Sequence, residues 1–347
     1  MRAESAEQTR DGLMAVLQWK PSKDFESVLD VYHSKFERIA LQRGFEAGLA
    51  WSGASLQNPV VEGATAVTGQ ANTFTGGVLT KADYVGAKPI FRHDHNERED
   101  KLNAIGWNNK LVMGDWTLVG DISWSKADRN ESILELYSGT VPGSPGATDT
   151  FSVVLPQGGG YPNIRAGLNY ADPSIVRLVD SGGWGQAGYL KNPEVKDEIK
   201  SLKLAARSNV DLFGFSGFDL GVNYTEREKS RNVPEWFLDL KASPQALASS
   251  EIVGSTSLAF VGMPNMVSYD PRAALGKYYN LRPHVNQRDI LNKIWTVNEE
   301  ITTGFVKGDI DTELFGDPAI GNSNLRPVSQ VPLDNVNVVG SGEFVKR

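Results

Sequence analysis

The chain of 347 residues contains no cysteine. Disulfides, a thiolate nucleophile and a Cys-ligated metal are therefore excluded. It also lacks any run of about 18 apolar residues, so no transmembrane helix is encoded. No basic cluster occurs and the net charge is −7, which argues against nucleic acid as a partner. Histidine is scarce, with only four residues: His33, His93, His95 and His284. His93-Asp94-His95 could contribute to a metal site, but it reads as a solvated loop leading into a strand, so no metal is expected. The GxSxG, HExxH and P-loop signatures are missing. Gly158-Gly159-Gly160 precedes Tyr161-Pro162-Asn163 and is turn chemistry, not a phosphate cradle. Neither an enzyme nor a cofactor is expected. The opening MRAESAEQTRDG has no apolar core, so it does not read as a secretory signal.

What the sequence does contain is alternation. From Glu97 to Ala127 it reads as two long β-strands around a tight turn at Gly114-Asp115. Trp116, Leu118, Ile122 and Trp124 fall on one face. Asp115, Thr117, Asp121, Ser123 and Ser125 fall on the other, broken only by Val119. Period two over this length is a strand pattern. Trp116 and Trp124 stand about 26 Å apart at ~3.3 Å per residue. That is close to the ~25 Å apolar band of an outer-membrane barrel.

Similar strands recur. Leu13, Ala15, Leu17 and Trp19 alternate ahead of a Pro21–Asp24 turn, and a second strand runs from Phe25 to about Phe36. Residues 37–96 show no sustained regularity, although 60–79 suggests a hairpin outside the main sheet. Leu202, Leu204, Ala206, Val210 and Leu212 share a face opposite Lys203, Arg207 and Asp211. A turn at 213–217 leads to Phe218, Leu220, Val222 and Tyr224. Trp295, Val297, Ile301 and Phe305 share a face before a turn expected at Lys307-Gly308, with a returning strand over Asp309–Phe315. Short turns thus alternate with long connections at 37–96, 139–197 and 230–287. In an antiparallel meander this places all short turns at one end and all long loops at the other, as in outer-membrane barrels. A soluble sandwich has no reason to sort its loops in this way.

The long loops carry aromatic rings beside amide or guanidinium donors. The candidates are Tyr161, Arg165, Trp184, Tyr189, Trp236, Tyr278, Tyr279 and Arg282, with Asn163, Phe237 and Asn280 nearby. Such pairs suit a sugar, which offers C–H faces and hydroxyl edges. Loop–loop packing uses the same residue types.

Three segments carry a family likeness. They are RDGLMAVLQWKPSKDFESVLDVYHSKFE at 10–37, NEREDKLNAIGWNNKLVMGDWTLVGDISWSKADR at 96–129, and IWTVNEEITTGFVKGDIDTELFG at 294–316. Each resembles a periplasmic-turn hairpin of TonB-dependent receptors, nearest to a subgroup associated with oligosaccharide uptake. The resemblance implies an all-β fold: an antiparallel meander forming part of a large transmembrane β-barrel. It also implies a plug domain and a TonB box, and nothing here resembles either. Residues 1–322 would be the partial barrel. Residues 323–347 lose periodicity and would be an aberrant junction. The implied setting is the outer membrane of a Gram-negative cell. The implied partners are membrane lipid, the TonB energy-transducing protein and a small solute such as an oligosaccharide or siderophore. A passive porin-like channel and a soluble secreted carbohydrate-binding β-protein are the alternatives.

Overall fold

The computed structural model describes residues 1–49, 53–140, 148–209, 215–285, 287–314, 317–325 and 328–329. Eight long strands follow one another in sequence and in space. They are β1 (Arg2–Trp19), β2 (Phe25–Ala47), β3 (Pro89–Met113), β4 (Trp116–Thr140), β5 (Glu194–Ser208), β6 (Phe215–Asn232), β7 (Trp295–Leu314) and β8 (Asp317–Leu325). Every neighbouring pair is antiparallel. The fold is all-β, and the sheet is open: among the described residues β1 and β8 do not pair.

The register explains the alternation in the sequence. Residues directly opposite in an antiparallel pair share a face. One row reads Leu17, Leu29, Trp107, Ile122, Leu202, Tyr224 and Thr302 across β1 to β7. The row beside it, nearer the short turns, reads Trp19, Ser27, Asn109, Gly120, Leu204, Val222 and Gly304. Two further rows bring Phe25, Leu111, Leu118, Ala206, Leu220 and Val306, then Met113, Trp116, Ser208, Phe218 and Gly308. These four rows contain no Asp, Glu, Lys or Arg. Many of their apolar side chains stand exposed: Leu17 is 67% exposed, Trp107 48%, Ile122 52% and Leu204 52%. At ~4.8 Å between strands the belt is about 29 Å wide. With rows ~6.8 Å apart along the strands it covers roughly 600 Å², the upper end of the ~300–600 Å² patch of an ordinary soluble monomer.

Polar edges bound the belt. Trp124 Nε1 donates to Glu198 Oε1 at 3.1 Å, and the Tyr224 hydroxyl donates to Glu226 Oε1 at 2.8 Å. Both rings keep an apolar body on the belt and turn a polar tip toward charge. At the other edge Trp19 meets Phe25 edge-on at 5.8 Å beside the first turn.

The opposite face is polar over the same height. Asp121 accepts from Asn108 at 3.1 Å, Arg207 meets Asp219 at 3.9 Å, and Lys307 meets Asp309 at 2.6 Å.

Several expectations need correction. Lys307-Gly308 is not a turn. Both residues lie inside β7 and pair with Asp219 and Phe218 of β6. The returning strand is β8, and residues 315–316 between the two lie outside the described residues. Trp295, Val297, Ile301 and Phe305 do share a face, but it is the polar one, since Ile301 pairs with Thr225 and Phe305 with Gly221. β2 and β3 extend well into the 37–96 segment. His93-Asp94-His95 lies within β3, not in a loop. Most of 323–347, together with Val210, Asp211, Leu212, Phe213 and Gly214, lies outside the described residues.

The long connections fold together at one end. Ser55–Glu62, Val78–Ala87, Asp149–Val154 and Asn163–Ala166 form a separate four-stranded sheet built from two of them. The third contributes Ile252–Thr256 paired with Met266–Tyr269, and Val267 N donates to Tyr170 O at 2.8 Å. Phe45 and Phe91 of the main sheet pack with Phe151, Tyr170, Leu258 and Met266 in one core. Leu134 and Leu136 pack with Leu178, Leu238 and Tyr269 in another. No helix among the described residues is long and apolar enough to cross a membrane.

Candidate functional site

The site lies on the polar face at the loop end. Here the main sheet is prolonged by short strands: Gly188–Lys191 pairs with β4, Glu235–Leu240 with Gly188–Lys191, and Tyr279–Pro283 with Glu235–Leu240. Alternation then puts Arg92, Tyr137, Tyr189, Phe237 and Arg282 on one face, in consecutive strands. They form a ladder. The Arg92 guanidinium lies 5.1 Å over the Tyr137 ring. Tyr137 meets Tyr189 at 6.3 Å, Tyr189 meets Phe237 at 5.3 Å, and the Arg282 guanidinium lies 4.8 Å over Phe237. His284 stacks on Phe237 at 4.0 Å.

Trp184 joins from the side, edge-on to Tyr137 at 5.0 Å. Its loop is held by Asp180, which accepts from Trp184 N at 3.0 Å and Gly185 N at 2.7 Å. Arg282 Nη2 donates to Gly185 O at 2.9 Å, and Gln186 Nε2 donates to the Tyr189 hydroxyl at 2.7 Å. Trp184 is 44% exposed, so its face is open to a ligand.

The cations of the ladder are already neutralised. Arg282 donates to both oxygens of Asp239 at 2.7 and 3.0 Å. Arg92, only 6% exposed, donates to Asp94 at 3.2 and 3.0 Å and to Glu46 at 3.0 Å, and pairs with Glu135 at 2.7 Å. One guanidinium therefore serves three carboxylates. Burial, with Glu135 beside it, pushes the Asp94 carboxyl up to about 6 against the pull of Arg92. A carboxyl whose folded pKa lies above its unfolded value favours the folded state when protonated. Its contribution is greatest below about 4 and is lost as pH rises through about 6. Thermal melts of wild type should therefore fall relative to Asp94→Asn between these pH values. Parallel profiles would remove Asp94 as the source.

Of the candidates read from the sequence, Trp184, Tyr189 and Arg282 come together, with Phe237. Trp236 points to the opposite face, across from Leu190. Tyr278 ends the helix Pro271–Tyr278 and donates its hydroxyl to Glu251 at 2.8 Å. Tyr279 is buried, and burial raises its pKa. Asn280 pairs in register with Asp239. Tyr161, Asn163 and Arg165 belong to the four-stranded sheet region, where Tyr161 meets Phe260 at 5.6 Å. Sequence reading missed Arg92, Tyr137 and His284. Tyr137 continues the odd-numbered positions of Thr117, Asp121 and Ser123, so parity alone could have placed it on the polar face.

His93 is buried, its Nε2 lies 3.0 Å from Val267 O, and its ring stacks on Tyr269 at 3.9 Å. Burial lowers its pKa to about 3, so it is a neutral packing residue. His95 instead pairs with Glu97 at 2.8 Å. Among the described residues no three His, Cys, Asp or Glu side chains are grouped so as to hold a metal ion. In comparisons with known proteins, no family model matches the chain and no curated protein matches it.

Proposed function

We propose that the chain forms part of an outer-membrane β-barrel receptor of the TonB-dependent kind, which takes up a small solute and carries no catalysis of its own. The observation that carries this reading is the charge-free apolar belt, held in register across seven strands with many of its apolar side chains exposed. In water such a surface aggregates; in a bilayer it is solvated by lipid. The opposite face would line the lumen. The short turns would be periplasmic, and the folded loop end extracellular. Every second residue of β1 turns its N–H and C=O groups away from β2. In hydrocarbon those groups need a partner strand, so further strands would continue the sheet to closure around a plug that the TonB energy-transducing protein pulls.

The solute would meet the ladder first. The exposed Trp184 ring and the half-buried Tyr189 ring, beside neutralised guanidinium groups, suit the C–H faces and hydroxyls of an oligosaccharide better than a highly charged siderophore. Trp184→Ala and Tyr189→Ala are each expected to weaken oligosaccharide binding by about three- to tenfold, measured by calorimetry on detergent-refolded protein across a panel of pentasaccharides. The membrane placement is tested by detergent phase partition. The chain is expected in the detergent-rich phase, and a monodisperse monomer recovered from detergent-free buffer would contradict it.

A further inference from the structure

Between the belt and the ladder, a groove of about 510 Å³ opens on the polar face. Its centre lies eight positions nearer the turns than Tyr137, about 26 Å along the strand. One cross-strand row supplies Arg10 of β1, Phe36 of β2, Asp100 of β3 and Arg129 of β4. Arg98, Asp197 and Lys229 complete its charged lining on that face. The size falls in the ~300–1,000 Å³ range of small-molecule sites.

Asp100 is shared by two arginines: Oδ2 accepts from Arg98 Nε at 2.7 Å and Oδ1 from Arg129 Nε at 2.7 Å. Asp197 is likewise shared, by Arg227 at 2.6 Å and Lys229 at 3.5 Å. Arg129 also lies 3.8 Å from Glu131 and Arg227 3.4 Å from Glu299, so the positive charge left over here, in contrast to the ladder, is that of Arg10. Arg10 has hydroxyl partners only, donating to Ser34 Oγ at 3.2 Å and the Tyr32 hydroxyl at 3.4 Å. Its charge has no carboxylate to meet among the described residues. Beside it the Phe36 ring, with Arg98 at 5.5 Å, offers a flat apolar wall. A guanidinium with spare donors next to a ring matches a sugar that bears a carboxylate.

We propose that this groove is a site for a uronic-acid-type sugar, with Arg10 taking the carboxylate and Phe36 the ring face. The inference rests on the reading of this face as the solute path. The test is calorimetry on the full chain refolded in detergent, with digalacturonate, its dimethyl ester and inorganic phosphate as probes. Digalacturonate is expected to bind at least about tenfold tighter than the ester, and less tightly as salt is raised. Arg10→Gln, with its strand content unchanged by circular dichroism, is expected to lose about tenfold for the acid and little for the ester. Equal affinity for acid and ester, phosphate binding as tight as the acid, or unchanged binding in Arg10→Gln would each overturn the inference. Failure of the membrane placement is read separately. A chain that needs detergent but treats acid and ester alike loses only the groove, and one that selects the acid without detergent loses only the membrane.

Discussion

Leu204→Arg or Val222→Arg is expected to block insertion of the sheet into lipid. Both residues lie in the middle rows of the belt, opposite each other on β5 and β6, and both are exposed. An arginine on the lipid face near the midplane costs about 2–4 kcal/mol. Because the two positions touch, the double variant need not cost the sum. The control is at the same height on the other face. Lys203 pairs in register with Asp121 and Asn223, among polar neighbours. Lys203→Glu is expected to insert normally. The measurement is the protease-protected, heat-modifiable fraction after refolding into lipid vesicles. Equal yields from the belt and control variants would mean that the two faces are wrongly assigned.

Arg92→Leu is expected to be the most destabilising single change at the loop end. It would leave Glu135 without a cation, and Glu46 and Asp94 with Arg2 alone, at 2.7 and 3.7 Å. Removing one partner of a buried ion pair typically costs about 3–5 kcal/mol. Trp184 reports on this region, because its ring meets Tyr137 and Arg92 lies over the same Tyr137 ring. Urea unfolding followed by tryptophan emission should show the loop-end transition at lower denaturant, with the belt strands retained by circular dichroism. Combining Arg92→Leu with Asp94→Asn should recover part of the loss, since one buried negative charge goes with it. An unchanged midpoint in Arg92→Leu would show that the guanidinium contributes nothing net to the stability of the loop end.

The belt was legible in the sequence because only one face of β4 to β6 is apolar, so alternation survives in Trp116, Leu118, Ile122 and in Leu202, Leu204. It faded where both faces are covered. In β3, Phe91 and His93 pack into the loop-end cores while Arg92 and Asp94 are buried in the ion cluster behind them. Residues 89–96 therefore carry no periodic signal and read as a loop. Glycine misled at 307–308 for a different reason. A side chain at Gly308 would collide with the Phe215 ring, just as one at Gly221 would collide with Phe305. These glycines mark close approach of a ring across the strands, not a turn. The ladder was half legible. Loop composition pointed to Trp184, Tyr189 and Arg282. Their union with Arg92 and Tyr137 depends on the pairing of strands far apart in sequence, which no local pattern encodes.

The most direct test of the central claim is a spin-label scan along β4. Single cysteines would replace residues 116 to 125 in turn, in protein refolded into lipid vesicles, and each label's collision rates with oxygen and with a water-soluble nickel chelate would be measured. Labels at 116, 118, 120, 122 and 124 should favour oxygen, and those at 117, 119, 121, 123 and 125 should favour nickel, with a period of two. Uniform access of nickel at every position, or a protein that stays in buffer and leaves the vesicles untouched, would contradict the placement of this face in lipid.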